Sequence, residues 1–271
     1  MTNLKHNPGE VAAAPSNAHG LPRIRFYVLC KDEAANIGKC IAALRQAGVP
    51  VTLFDSGSGD DTCRIAARER VDVVRYTYID HCHAYNEITS ATDTPLCGIL
   101  DADMEVSPEL VAEILTLLES ADVVTCPIRM YVDGLPLPRG SLCPPKAVAF
   151  RCGRAYFAPV GHGERLVAGL RVATTSQPLR HNDLKPYAAY LASQLRYSEK
   201  FAARAAHGQR NWRDWLRFNT PLMMLVTPAY SLLVKGGIFS RSGWLYAIDR
   251  LIAEALMFRR SIEARLRGRK D

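Results

Sequence analysis

Residues 95–103 read PLCGILDAD, an apolar run that ends abruptly in two aspartates one residue apart. A short apolar run bounded by turn residues suits a buried strand, and the polar break marks its C-terminal end. On the N-terminal side, IRFYVLC at 24–30 and VTLFDS at 51–56 are two further strand-like runs, the second closing on Asp55. VDVVRY at 71–76 is a third. Between them, Ile37, Ile41 and Leu44 recur at helical spacing within 33–47, TCRIAARERV at 62–71 reads as a helix, and so does 83–91. On the C-terminal side, Pro108 opens a helix over 108–120 whose apolar face is Leu110, Val111, Ile114, Leu117 and Leu118. ADVVTCPI at 121–128 is the next strand. Strand and helix alternating at this spacing predict βαβ units, hence an α/β fold on a mostly parallel, Rossmann-like sheet flanked by helices. Right-handed crossovers bring the strand C-terminal ends to one edge, where open α/β sheets bind ligands. Asp55 and Asp101 are both expected there.

The remainder divides by composition. Residues 1–22 are rich in Pro, Gly, Asn and Ala without an apolar stretch after basic residues, so they are expected to be a flexible lead-in and not a secretory signal. A catalytic domain is expected over 23–185, with 129–182 forming a smaller mixed β extension that includes AVAFR and LRVAT. Residues 186–271 read as a basic helical segment: an amphipathic helix at 187–207, NWRDWLRF at 211–218, an apolar stretch at 221–234 broken by Pro228, and a long helix at 243–267. Residues 191–271 carry 15 Lys and Arg against 6 Asp and Glu, a balance of +9, whereas the preceding residues balance to −2. Such asymmetry points to an anionic partner. No nucleic-acid-binding motif accompanies the charge, so nucleic acid is not expected. The eight cysteines lie between Cys30 and Cys152 with no CxxC pair, which argues against a zinc knuckle and suits a reducing, cytoplasmic setting.

Asp101 and Asp103 offer hard oxygen ligands for Mg²⁺ or Mn²⁺, if the turn lets them converge; an Asx turn is the structural alternative. Such an ion can bridge a diphosphate and neutralise the charge that grows as it leaves. Asp55 precedes Ser56-Gly57-Ser58-Gly59-Asp60, which is neither GxGxxG nor a P-loop. Its carboxylate can accept from a base or ribose, while Asp60 or Asp61 caps the next helix. Glu33 follows the first strand and can face the same crevice.

CKDEAANIGKCIAAL, FDSGSGDDTCRIA and ILDADMEVSPEL, in this order, resemble the family 2 glycosyltransferases of the GT-A fold over residues 24–128. GHGERL, HNDLKPYAAYLASQLRYSEKFA and KGGIF resemble the branch containing lipopolysaccharide-core and exopolysaccharide glucosyltransferases. The resemblance implies inverting, metal-dependent transfer of a hexose from a nucleotide sugar, usually a UDP-sugar. The acceptor would be lipid-linked or a saccharide, in surface polysaccharide assembly. Glu33 and Asp55 would contact the nucleoside, and Asp101 and Asp103 would hold the diphosphate through the metal. Either Glu164 or Asp183 would be the acceptor-side base; Gly163 interrupts the branch's His-Glu pair, and Asn182 and Leu184 depart from its His-Asp-Asp-Arg-Lys-Pro run. His181 is a candidate third metal ligand or phosphate contact, and Lys185 a phosphate contact. Two other readings are a sugar nucleotidyltransferase, for which residues 30–33 lack the Gly-rich Arg loop, and a noncatalytic membrane-associated scaffold.

Residues 221–239 are too short and too interrupted to span a bilayer. Trp212, Arg213, Trp215, Arg217, Lys235 and Arg241 flank them, a mixture suited to an anionic membrane interface, peripheral at the cytoplasmic face. A helical lid or a dimer contact is the alternative.

Overall fold

The five apolar runs read as strands within 24–128 each form a strand, and the segments read as helices form helices. The computed structural model describes residues 23–154, 157–160, 163–166, 169–206 and 211–267; the 1–22 lead-in lies outside the described residues. The elements run β1 (Ile24–Cys30), α1 (Ile37–Gln46), β2 (Val51–Asp55), α2 (Thr62–Arg68), β3 (Asp72–Arg75), α3 (His81–Ala91), β4 (Leu96–Asp101), β5 (Met104–Glu105), α4 (Pro108–Leu117) and β6 (Val123–Cys126). They continue as β7 (Ile128–Val132), β8 (Leu135–Pro136), β9 (Lys146–Arg151), β10 (Phe157–Val160), β11 (Gly163–Leu166), β12 (Val172–Thr174) and β13 (Leu179–His181). The helices α5 (Tyr187–Ala206), α6 (Trp212–Asn219), α7 (Leu222–Ala229) and α8 (Arg241–Arg267) complete the chain, with a π turn (Tyr230–Val234) and a 3₁₀ turn (Gly237–Phe239) between the last two.

By internal contacts the chain forms two units, one of 1–127 with 145–179, the other of 128–144 with 180–271. The first is built on a seven-stranded sheet of order β12-β6-β9-β4-β1-β2-β3. β3, β2, β1 and β4 are parallel, as are β6 and β12; β9 runs antiparallel to both of its neighbours. This is the mostly parallel α/β architecture that the strand–helix alternation predicts. One expectation is corrected. AVAFR and LRVAT do not form a separate extension but enter this sheet as β9 and β12. The reason is burial: Val148, Ala149 and Phe150 are consecutive and all buried, which only a central strand covered on both faces provides. Phe150 then packs with Tyr85 and Phe157, ring centroids 4.9–5.9 Å apart. Gly98 on β4 has no substitute, because a Cβ there would stand 2.3 Å from the Phe26 ring.

Helix starts follow ordinary capping rules. Asp80 accepts from His83 N–H (2.7 Å) at α3, and Ser107 from Leu110 N–H (3.2 Å) at α4, where Pro108 fills the first turn.

In the second unit α5 and α8 pack side by side. Tyr187 donates to Asp249 (2.8 Å) and Arg260 to Glu199 (2.8 Å), so the two helices run in the same direction. Glu254 of α8 is buried and ties three helices together. It accepts a bidentate pair from Arg217 of α6 (2.9 Å each) and a hydroxyl from Thr227 of α7 (2.9 Å). Removing one partner of a buried pair leaves the other charge uncompensated. Glu254→Gln is therefore expected to destabilise the fold by about 3 kcal/mol, the lower end of the range for broken buried pairs, because Arg217 keeps Asp214 at 3.5 Å. Urea unfolding of the two proteins measures it.

Candidate active site

The C-terminal edge of the parallel strands gathers the acidic residues that the sequence singles out. β1 is the central strand of this edge. In its register, Cys30 faces Asp55 of β2 and Leu29 faces Asp101 of β4. The two aspartates thus flank one strand at the same end, as expected from two apolar runs closing on Asp.

The β1–α1 and β2–α2 loops are stitched to each other by side chains. The Ser58 hydroxyl donates to Asp55 (2.5 Å) and accepts from Asp32 N–H (2.9 Å). Asp32 in turn accepts from Gly59 N–H (2.8 Å). The Thr62 hydroxyl donates to Asp60 and accepts from Glu33 N–H (2.8 Å), while Asp60 also accepts from Ala34 N–H (3.0 Å) and Thr62 N–H (2.9 Å). Asp32 takes a φ of +54° to make these contacts, a region that Asp tolerates better than most residues. Of the two candidate caps of α2, the Asp60 side chain accepts from a backbone N–H of the first turn, whereas Asp61 makes no capping bond and instead accepts from Arg64.

Asp55 is fully buried inside this network. Its oxygens accept from Gly57 N–H (3.1 Å) and Ser58 N–H (3.2 Å) as well as from the Ser58 hydroxyl. Burial pushes its pKa up, but the hydrogen bonds from Ser58 and Gly57 outweigh it and hold the carboxyl below its usual range. Asp55 therefore builds the turn at 56–59. Glu33 accepts from the buried Asn36 amide (2.8 Å), with its own N–H held by Thr62.

Across β1, Asp101 meets a partner absent from the sequence reading. The Lys146 ammonium donates to Asp101 Oδ2. The contact follows from the register of β9 on β4, which pairs Gly98 with Ala149 and so brings Lys146 opposite Asp101. Burial alone would lower the Lys146 pKa; attraction to Asp101, with Asp103 adding to it, raises it instead. Lys146 is thus a fixed cation beside the DxD pair. The residue type and its position before an apolar run were visible in KAVAFR. Its importance was not, because it depends on β9 lying between β4 and β6.

Two carboxylates one residue apart, with a cation alongside, suit a divalent ion that keeps its other ligands from water and phosphate, as Mg²⁺ does. They do not suit a self-contained protein cage: among the described residues no three His, Cys, Asp or Glu side chains are grouped to hold a metal.

Of the remaining candidates, Glu164 lies on β11, opposite Pro159 of β10. That hairpin is anchored to α3 by the Asn86 side chain, whose amide donates to Phe157 C=O and accepts from Phe157 N–H (2.9 Å each). His181, Asp183 and Lys185 belong to the second unit. Asp183 is exposed and accepts from Lys185 N–H (3.0 Å), an Asx turn ahead of Pro186 and α5.

Residues 26–151 match the model of Glycosyl transferase family 2. Over that segment the chain is similar to the family 2 glycosyltransferases. The segment runs from within β1 to the end of β9, and so takes in Glu33, Asp55, Asp101, Asp103 and Lys146. Uncharacterized glycosyltransferases of Mycobacterium bovis and Mycobacterium tuberculosis are 34% identical over 113 residues, 40% of this chain. The chain spans about half the length of these curated relatives. Among solved structures, glucosyl-3-phosphoglycerate synthase from Mycobacterium tuberculosis, in complex with Mn²⁺, UDP and glucosyl-3-phosphoglycerate, is 20% identical. It aligns over 40% of this chain and 44% of that one, with a TM-score of 0.35.

The stitched loops carry a pH dependence. Because the Asp55 pKa is lowered on folding, its contribution is present above the unfolded value of 3.8 and is lost as the pH falls through the folded one. Ser58→Ala removes the shortest of its bonds. The variant is expected to unfold at a higher pH than the parent during acid titration below about pH 4, and to lose roughly 1–2 kcal/mol at neutral pH. Circular dichroism against pH, and denaturant unfolding at pH 7, measure the two effects.

Proposed function

We propose that this chain is an inverting glycosyltransferase that moves a hexosyl group from a UDP-sugar to a lipid-linked or saccharide acceptor in surface polysaccharide assembly. The observation that carries the reading is the Asp101-Ala102-Asp103 turn at the C-terminal end of β4, with Lys146 beside it, inside a segment matching Glycosyl transferase family 2. In this reading the catalytic domain runs over 23–185, and the helices of 186–271 serve the acceptor at the cytoplasmic face of an anionic membrane. No described helix is long and apolar enough to cross a bilayer.

The donor side divides the work. Asp101 and Asp103 hold a Mg²⁺ or Mn²⁺ ion against the diphosphate, with His181 as a further ligand or phosphate contact. When bound, that ion supplies positive charge to the leaving phosphate oxygens. Lys146 supplies a second positive charge that needs no metal. Glu33 and the turn at 56–59, which Asp55 fixes, face the nucleoside. Buried and already hydrogen-bonded, Asp55 acts by presenting that turn.

On the acceptor side, Glu164 or Asp183 takes the proton from the incoming hydroxyl. The acceptor oxygen bonds to the anomeric carbon as the bond to the phosphate oxygen breaks, and one displacement inverts the configuration.

Calorimetric titration of UDP is expected to give binding that requires Mn²⁺, disappears in EDTA and is lost in Asp103→Ala. GDP is expected to bind more weakly. Lys146→Met is expected to weaken UDP about tenfold, or ~1.4 kcal/mol, with the Mn²⁺ requirement kept. Absence of UDP binding under every condition would sink the transferase reading.

The base is assigned by comparing Glu164→Gln with Asp183→Asn in a transfer assay. The true base variant is expected to lose roughly 10²–10⁴ in rate with UDP affinity unchanged. If neither variant loses rate, both assignments fail.

A further inference from the structure

Helix α7 and the turns after it are docked the wrong way round for a water-facing helix. Leu222, Leu225, Val226, Tyr230, Leu233 and Val234 are all exposed, Leu225 by 70% and Leu233 by 69%. Their spacing of three to four residues puts them on one stripe. Met223, Met224 and Leu232 are half-buried, but the residues of α7 and the π turn that are fully buried are small and polar. Thr227 donates to Glu254 Oε1 (2.9 Å), and the fully buried Ser231 donates to Gly140 C=O (2.7 Å). A surface helix in water buries its large apolar side and shows its polar one. Here the order is reversed.

The apolar face continues past the helix. Phe239 at the end of the 3₁₀ turn is 83% exposed, and Ile238 is exposed beside it. On α8, Trp244, Ile248 and Leu251 are exposed at i, i+4 and i+7. Trp244 Nε1 donates to Ile238 C=O (3.2 Å), which joins this stripe to the turn. The close fit of the turn on α8 is fixed by Gly243, where a Cβ would stand 1.9 Å from Gly237 O.

Charge selects the occupant. No acidic residue occurs between Asp214 and Asp249, while Lys235 and Arg241 bracket the 3₁₀ turn and are exposed. A second copy of the chain packed on this face by a two-fold axis would bring a like-charged patch against itself. An anionic lipid surface meets the same cations favourably and accepts Leu, Val and Phe below its headgroups, with Trp and Tyr at that level.

We propose that the face formed by α7, the turns through Phe239 and the first half of α8 inserts into the headgroup–acyl boundary of an anionic bilayer. This deepens the membrane part of the function proposed above and rests on it. The inserted side chains are Leu225, Leu233, Val234 and Phe239, with Trp244 at the boundary and Lys235 and Arg241 at the headgroups.

The test is flotation of the full chain with vesicles of phosphatidylcholine alone, and of phosphatidylcholine with about one-third phosphatidylglycerol. Binding is expected to the anionic vesicles, with a blue shift of tryptophan emission that persists when salt is raised after binding. Leu233→Asp and Phe239→Asp change only exposed positions. Each is expected to bind the anionic vesicles at least about tenfold more weakly, with UDP affinity unchanged. Three results would overturn the inference. One is failure of the parent chain to float. Another is flotation that both Asp variants retain and that salt alone abolishes. The last is a dimer that the same variants dissociate, with no vesicle binding. Failure of the parent chain to float with its UDP binding intact tells against this face alone, whereas absence of UDP binding tells against the transferase reading.

Discussion

The site depends on one ion pair, Lys146 with Asp101. Acidic residues cluster at this end of the sheet: Asp101, Asp103 and Glu105 follow one another at alternate positions. Like charges at such spacing oppose folding unless something compensates them. The compensation comes from a strand that arrives 45 residues later and runs the other way. Because β9 is antiparallel to β4, its first residue meets the last residue of β4. A parallel strand would have met it with its C-terminal end instead. The single reversed strand in the sheet is therefore what brings a lysine to the ligand edge. Val148, Ala149 and Phe150 are buried, Phe150 against the Phe157 ring, so the strand that carries the lysine has little freedom to leave.

A second constraint acts on the other side of β1. The segment DSGSGDDT looks like a flexible, polar connection, yet its side chains are nearly all used in holding two loops together. Two of its three hydroxyls both donate and accept: Ser58 between Asp55 and Asp32, Thr62 between Asp60 and Glu33. Loops fixed in this way do not have to be ordered when a ligand arrives, and the entropy of ordering is a main cost of binding. The carboxylates of Asp32, Asp55 and Asp60 serve the scaffold. What a ligand meets at 56–59 is a preset turn.

The α/β class, the strand boundaries and the place of Asp55 and Asp101 were legible because they rest on local patterns. Apolar runs of five to seven residues ending in Asp need no knowledge of distant partners. The role of KAVAFR was not legible for the converse reason. Its composition suits any buried strand, and only pairing with β4 and β6, both far away in sequence, decides its neighbours and direction. The work done by Asp55 was half legible. Its position at a strand end follows from the run VTLFD, but its enclosure by Gly57 and Ser58 depends on backbone angles that residue types permit without dictating. Asp183 is similar: its bond from Lys185 N–H depends on a local backbone turn that the residue types permit without dictating.

The basic second unit shows why net charge must be followed to individual groups. Several of the 15 cations of residues 191–271 are paired inside. Arg217 and Arg204 hold Asp214 and Glu254, Arg260 holds Glu199 and Glu263, and Arg250 lies over the Tyr246 ring while donating to the Tyr190 hydroxyl (3.1 Å). These cations fasten the helices beside the apolar cluster of Phe201, Ala205 and Phe218. Other cations stay exposed: Arg196 and Lys200 on α5, Arg267 at the end of α8, Arg213 over the Trp212 ring, and Lys235 and Arg241 about the 3₁₀ turn. The last two sit among the largest exposed apolar side chains of the unit. A solvated basic face would scatter its cations among polar neighbours. Cations interleaved with bare Leu, Val, Phe and Trp have a different physical optimum, a boundary where one side is apolar and the other negatively charged.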